Sequence, residues 1–333
     1  MSVFRRGSLG AEVRQIQTRL QALHLYPGAV DGQYGGGTEA AVRAFQRIRR
    51  LPVDGTVGPR TWEAVMGRGA DPPDTDPAAQ SIGKRCLSMT SAFETDVPAP
   101  ECFCRVAGDF DHQGISFGAL QFNLGRETLQ PIRQALLDTA PAVMTAIFGG
   151  HLPTLRAVLA QPVGEQLVWA RSIQTARLQL IEPWRGMLMA LGRTPECQAI
   201  QMRDVERRVA RARTMCRRYD LTSERGLALM FDIAVQNGSI GPVAGPRIAR
   251  DLAALPSGGS WAEREVARMR IIANRRAEAA DPRWVEDVRQ RKLAIANGDG
   301  VVHGNHYDLA EQFGVRLVPA DGTPMPDAAP GGG

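Results

Sequence analysis

At 333 residues and 44% hydrophobic content the chain is long enough for more than one domain with a real core. Forty basic residues against 35 acidic ones give a formal charge of +5, which suits a polyanionic partner. No arginine–aromatic platform or zinc-finger spacing points to nucleic acid, no run reaches the length of a membrane span, and residues 1–6 lack the apolar core of a signal peptide. These features predict a monomer without an integral membrane segment, made in the cytoplasm, that reaches any outside target by lysis or specialised export.

The first element is a helix whose face is marked by Val13, Ile16, Leu20 and Leu23, stepping by three and four. The pattern V-D-G-x-x-G-x-x-T then occurs twice, from Val30 to Thr38 and from Val53 to Thr61. In each copy Asp-Gly asks for a turn with positive φ, the next glycine for a second backbone concession, and the threonine for a helix N-cap. Apolar stripes follow both copies: Val42, Phe45 and Ile48, then Trp62 and Val65. The spacing predicts three short helices joined by two matched turns, a compact module over residues 1–66. Proline, glycine and aspartate crowd the stretch that follows, which reads as a linker over residues 67–80. Residues 321–333, rich in Pro and Gly, read as a flexible tail.

Residues 81–320 form an overwhelmingly helical body. Helical periodicity covers segments near 127–147, 164–191, 197–219, 222–237, 243–254, 261–279 and 282–296, with prolines such as Pro141, Pro195, Pro242 and Pro282 where helices begin or break. Residues 105–125 depart from this. They carry four glycines, and Ile115, Phe117, Ala119 and Phe122 roughly alternate, which predicts a small β-hairpin insert. The fold class is therefore all-α dominated, α+β through its insert, and an irregular polar insert in such a body is where chemistry usually sits.

Two carboxylates flank or occupy that insert. Residues 86–94 read as a short helix ending near Glu94, because Val97-Pro98 cannot continue it. Backed by Leu87, Met89 and Phe93, Glu94 is expected to be partly desolvated, which favours a protonated carboxyl able to donate. Asp109 and Asp111 lie in a glycine-rich turn open to water. Glycosidic cleavage needs this asymmetry of one acid and one carboxylate.

Two resemblances bear on these residues. Gly7-Ser8, Gly10, Val13, Leu20, Asp31-Gly32, Gly35, Thr38, Ala41-Val42, Phe45-Gln46, Asp54-Gly55, Gly58 and Thr61-Trp62 resemble, in register, the peptidoglycan-binding domain at one end of many bacterial and phage cell-wall hydrolases. That likeness assigns the wall-binding role to the module and, within it, to Asp31, Gly32, Tyr34, Asp54, Gly55 and Trp62. Residues 90–94 followed by 108–122 are similar to the active-site segment of family-46 chitosanases and their lysozyme-superfamily relatives. On that resemblance Glu94 maps to the general acid and Asp111 to the base that activates water. Ser116 stands where the family uses Thr to position that water. The Glu94-to-Asp111 spacing is one residue short of the chitosanase pattern, Ser replaces Thr, and Gln121-Phe122-Asn123 is closer to wall-cleaving lysozyme relatives. Asp109 is the rival for the base, and Glu101 a weaker rival for the acid. Residues 229–238 echo a helix-ending stretch of the same family.

Gln121, Asn123, Gln236, Asn237, His303 and Tyr307 are the candidate substrate-binding side chains, with Asn305 beside the last two. Gln236 and Asn237 equally suit the end of a helix capped by Gly238. His303 and His306 are three apart in a glycine-containing segment, a weaker metal signal than four-residue helical spacing, so neither a metal nor a cofactor is expected. Cys102 or Cys104 with His112 would make a nucleophile pair for an amidase, but nothing local depresses a thiol pKa. Five cysteines argue against a full disulfide framework; Cys197 and Cys216 could pair across a helical hairpin, although reduced core thiols are commoner. The arginine run from Arg203 to Arg218 reads as a solvated helix face.

A chitosan groove should be acidic, whereas this chain is basic and carries a wall-binding pattern. The expectation is a β-1,4 glycan hydrolase of the muramidase type acting on peptidoglycan with inversion. The alternatives are a chitosanase- or chitinase-type hydrolase, a non-catalytic wall-binding protein, and a peptide- or amide-cleaving enzyme.

Overall fold

The computed structural model describes residues 4–67, 77–95 and 98–320. The chain divides into two compact units, Met1–Asp96 with Arg207–Gly333, and Val97–Glu206. Residues 68–76 of the expected linker and the expected tail, 321–333, lie outside the described residues, while Pro77–Ala79 forms a short 3-10 turn.

The first unit begins with the three-helix module: α1 (Ala11–Ala22), α2 (Gly36–Ile48) and α3 (Pro59–Met66). Val13, Ile16, Leu20, Tyr34, Val42, Phe45, Trp62 and Val65 share one core. Leu23 and Ile48 are on the predicted stripes yet are 42% and 64% exposed, because each falls at the C-terminal end of its helix, past the last packed turn.

The repeated turns are built differently from the sequence expectation. Gly32 and Gly55 both take φ +75°, as Asp-Gly predicts. Gly35 and Gly58, however, are the N-caps, with ordinary φ of −88° and −82°. Thr38 and Thr61 are buried in the first helical turn instead of capping it. What joins them to the turn is a buried glutamine in each copy. Gln17 Nε2 donates to Asp31 Oδ1 (2.8 Å), the Gln33 carbonyl (2.9 Å) and Thr38 Oγ1 (3.1 Å), while its Oε1 accepts from Gly32 N–H (2.8 Å). Gln46 repeats the set with Asp54 Oδ1 (2.7 Å), the Thr56 carbonyl (2.7 Å), Thr61 Oγ1 (3.3 Å) and Gly55 N–H (2.9 Å). Asp31 and Asp54 also fold back on their own turns, accepting from Gln33 N–H and Thr56 N–H. The sequence repeat is thus a repeat of one hydrogen-bonded staple.

The body of the first unit opens with α4 (Ile82–Thr95). In the second unit, β1 (Val106–Ala107), β2 (Ser116–Phe117) and β3 (Phe122–Asn123) form an antiparallel sheet in that order, with Ala107 opposite Ser116 and Ser116 opposite Asn123. The predicted insert is therefore three-stranded. Helices α5 (Gln130–Thr139), α6 (Pro141–Phe148), α7 (Leu152–Leu159), α8 (Val163–Ser172) and α9 (Trp184–Gly192) follow. Pro141 splits the expected 127–147 helix, and a bridge between Gln174 and Leu180 interrupts the expected 164–191 helix. Ile115, Phe117, Leu124, Leu136, Met144, Phe148, Leu155, Leu188 and Cys197 belong to one core cluster.

One stretch, Pro141–Leu159, is long and apolar enough to cross a membrane by length and composition, contrary to the sequence expectation. In the structure a 3-10 turn at Gly149–His151 breaks it into α6 and α7, and Met144, Phe148, Leu152 and Leu155 face the core.

Helix α10 (Pro195–Arg218) buries Gln201, Val205, Val209, Ala212 and Cys216 at helical spacing and leaves most of its arginines exposed. The rest of the first unit is α11 (Glu224–Asn237), α12 (Gly241–Ala253), α13 (Trp261–Glu278) and α14 (Val285–Asn297). A hairpin of β4 (Asp299–Val302) and β5 (Asn305–Asp308) and a short α15 (Leu309–Phe313) complete it. Residues Glu224 to Ala234 of α11 are all buried, as expected of a helix surrounded by others, and its charged members Glu224, Arg225 and Asp232 are each hydrogen-bonded within the protein. Its neighbours include α4, α13 and α14. The β4–β5 hairpin was not expected, since its turn, His303-Gly304, replaces the usual Asn-Gly signal.

Candidate active site

Helix α4 ends at the candidate acid. Its residues Arg85 to Phe93 are almost wholly buried, whereas the Glu94 side chain keeps 32% of its surface exposed. The expected desolvation is therefore only partial, and the neighbour is a cation. Arg291 Nη2 of α14 donates to Glu94 Oε1 at 3.4 Å.

That guanidinium is locked from behind. Asp232 of α11 is fully buried and accepts from Arg291 Nη2 (2.6 Å) and Nε (3.1 Å), from Lys292 Nζ (2.8 Å) and from Thr90 Oγ1 (3.1 Å). Lys292 Nζ also donates to Gln236 Oε1 at 2.8 Å. Burial would raise the Asp232 carboxyl, but Arg291 and Lys292 outweigh it and hold the group well below the usual carboxylate range. Burial pulls Lys292 down against the opposing charge of Asp232, while for Arg291 that same charge outweighs burial. Asp232, the Arg291 head group and Lys292 thus form a buried ionic cluster whose exposed end is Glu94. Arg291 keeps its shortest bonds for Asp232 and orients Glu94 through the longer contact. The sequence showed Asp232 only as part of an echo, and Arg291 and Lys292 not at all. Two adjacent basic residues late in a helix look like surface until the buried carboxylate is known.

The sheet region separates the two candidate bases. Asp109 is 4% exposed; Oδ1 accepts from Gly114 N–H (2.6 Å) and Oδ2 from Arg171 Nε (2.7 Å). Burial alone would raise its carboxyl, but those two hydrogen bonds and the Arg171 charge bring it below the ordinary value. Asp111 is half-buried and accepts from Gln113 N–H at 3.2 Å. Asp109 thus holds the turn and Asp111 is available to solvent. Between them Phe110 is 66% exposed, an aromatic face that the sequence reading passed over. Ser116 is buried at 3% in the central strand β2. Asn123 is buried too, and its Oδ1 accepts from Arg126 N–H, a turn-closing role in place of the expected sugar contact. Gln121 takes φ +52° and donates to the Gly118 carbonyl.

The remaining candidates divide in the same way. Gln236 and Asn237 are exposed at the end of α11, with Gln236 tied to Lys292. Tyr307 is 1% exposed, donates to the Ala92 carbonyl and meets Phe93 edge to face at 4.8 Å, so it has no face for a sugar. His303 is exposed, but both of its ring nitrogens engage protein groups. In the module, Tyr34 and Trp62 are core residues, 1% and 3% exposed, and Tyr34 Oη donates to the Gly55 carbonyl. Their place in the pattern, like that of Asp31, Gly32, Asp54 and Gly55, is explained by folding of the module. Among the described residues no three His, Cys, Asp or Glu side chains cluster as metal ligands.

Residues 10–65 match the family described as "Putative peptidoglycan binding domain". Over 64 residues the chain is 46% identical to a spore cortex-lytic enzyme of Bacillus cereus, covering 19% of this chain and 25% of that protein. Over another 64-residue match it is 44% identical to a zinc D-Ala-D-Ala carboxypeptidase of Streptomyces albus G, covering 18% and 24%. The chain thus spans about a quarter of the length of these relatives. Among solved structures, a native chitosanase from Bacillus subtilis MY002 overlays 69% of this chain and 97% of its own at 17% identity and a TM-score of 0.42, too loose to carry residue correspondences. The chain therefore carries a peptidoglycan-binding domain at its N-terminal end, joined to a predominantly helical body with small β-hairpins.

Proposed function

We propose that the chain is a peptidoglycan hydrolase that cleaves β-1,4 bonds of the wall glycan, with residues 1–66 holding the polymer and residues 81–320 cutting it. The relatives that share the module bear names of different wall chemistries, so the module speaks for the wall and the body must speak for the bond. The observation that carries the reading is Glu94, a partly exposed carboxylate ending a buried helix and oriented by Arg291, itself fixed on fully buried Asp232. Keeping charges in a core is costly, and a surface glutamate needs no such backing for folding.

In this reading Glu94 protonates the leaving glycosidic oxygen and Asp111 activates a water for direct attack with inversion. Phe110 offers an apolar face for a sugar ring. The net charge of +5 favours an anionic wall glycan over polycationic glucosamine.

The test is Glu94→Gln. It should lose nearly all release of new reducing ends from purified sacculi while still sedimenting with them. Mass analysis of fragments from the parent enzyme must show new reducing ends. New amino termini instead would replace the glycosidase by a peptidase or amidase, and undiminished clearing by the variant would remove Glu94 from the reaction.

A further inference from the structure

The last turn of α4 is finished by the β4–β5 hairpin. Helix-end carbonyls have no intrahelical donors left. Here the Ala92 carbonyl accepts from Tyr307 Oη (3.2 Å), and the Phe93 carbonyl faces His303 Nδ1 at 2.9 Å. The second ring nitrogen of His303, Nε2, faces Asp287 Oδ1 of α14 at 2.6 Å. A carbonyl and a carboxylate can only accept. Both contacts are therefore hydrogen bonds only when both ring nitrogens carry protons, that is, when the ring is an imidazolium. A cation at a helix C-terminus is favoured by the helix dipole as well.

The turn of the hairpin presents this ring. His303 and Gly304 are its two turn residues, with φ of +50° and +81°, a conformation that Asn or Gly adopts more easily than His. The peptide bond that His303 holds is the one joining Phe93 to Glu94.

We propose that doubly protonated His303 is a second positioning residue for Glu94, beside Arg291: it clamps the end of α4 between the hairpin and α14, and loss of one proton opens the clamp. The inference rests on the proposed role of Glu94. Asp287 of α14 is the charged group that meets the ring directly, and Glu94 follows the Phe93 carbonyl in the chain; Arg291 is engaged by Asp232 and Glu94. As pH rises the ring gives up one proton, one nitrogen turns a lone pair toward an acceptor, and that contact becomes repulsive.

The measurement is the pH profile of reducing-end release at saturating sacculi, for the parent and two variants. His303→Asn keeps a residue that tolerates the turn but cannot span both acceptors. Its kcat should fall by about ten- to a hundredfold, with KM within about twofold, and the alkaline decline should vanish. Asp287→Asn keeps an acceptor but removes the negative charge facing Nε2, so the clamp should weaken and kcat should fall with KM little changed. Nitrogen-15 shifts of the parent's imidazole should report two protonated nitrogens on the low-pH side of that decline. A neutral tautomer there, or a His303→Asn enzyme that melts lower but keeps the parent's kcat and profile, would overturn the proposal. Glu94→Gln run alongside separates the two readings: if it stays active, the assignment of Glu94 has failed first.

Discussion

Asp109 and Asp111 differ by two positions in the chain, yet the first spends both oxygens on Gly114 and Arg171 while the second remains half-exposed. From sequence they were rivals for one role, because what separates them is a contact with Arg171, 62 residues away. Asp109 is spent on the turn and Asp111 carries the proposed chemistry, and substitution should separate the two. Asp109→Asn keeps an oxygen for the buried Gly114 N–H but removes the buried negative charge that the half-exposed Arg171 answers, at a cost of about 1–3 kcal/mol in thermal or denaturant unfolding. Asp111→Asn should unfold within about 0.5 kcal/mol of the parent and lose clearing activity. The pH dependence follows from the lowered Asp109 carboxyl. A folded-state value below the unfolded 3.8 gives a contribution that is complete above that pH and is lost as pH falls through the folded-state value. Asp109→Asn should therefore flatten the acid side of the stability curve, and Asp111→Asn should not.

Among elements, helices were legible wherever apolar residues kept a 3.6-residue period, and α10 to α14 fall close to their expected bounds. Boundaries failed where a short break hides inside a continuous pattern, as between α8 and α9. The β4–β5 hairpin was hidden for another reason: strands of four residues carry too few alternations to read, and only Val302 and Tyr307 turn fully inward. The glutamine staples escaped because Gln17 precedes its turn by 14 residues and Gln46 by 8, so no fixed spacing announces them. They also make the repeat testable. Gln46→Leu removes the acceptor for Gly55 N–H and the donor to Asp54, Thr56 and Thr61, and should destabilise the module by about 1–3 kcal/mol. Hydrogen exchange should show faster opening of residues 46–61 and sacculus binding lost at lower temperature. Ile48→Lys, on the same helix but 64% exposed, should leave both unchanged. The proposed catalytic segment was marked for a related reason: a helix stop at Val97-Pro98 and a glycine-rich insert are local signals, whereas the Asp232–Arg291–Lys292 cluster beside Glu94 is assembled from α11 and α14.

At the level of the whole chain, the wall-binding match stops at residue 65, so the proposed cutting falls to a different segment from the tethering. A tether raises the local concentration of glycan without altering the cleaving groups, so loss of the module should show on sacculi far more than on short soluble fragments. Charge also acts over the entire molecule, since +5 favours an anionic polymer whichever bond the proposed hydrolase cuts. The five cysteines, all buried and none in a disulfide, have a consequence at this scale too. Cys86 and Cys216 sit in the first unit, and Cys102, Cys104 and Cys197 in the second. Burial pushes the thiol pKa up for Cys86, Cys104, Cys197 and Cys216, to about 11 for Cys104 and Cys197 and about 12 for Cys216, and with all five sulfurs buried a maleimide pulse on the folded protein should mark few or none. Under rising denaturant each sulfur becomes a timestamp for the unit that shelters it. Mass spectrometry of the tagged peptides would then give the order in which the two units come apart, from the native protein and with no engineered probe.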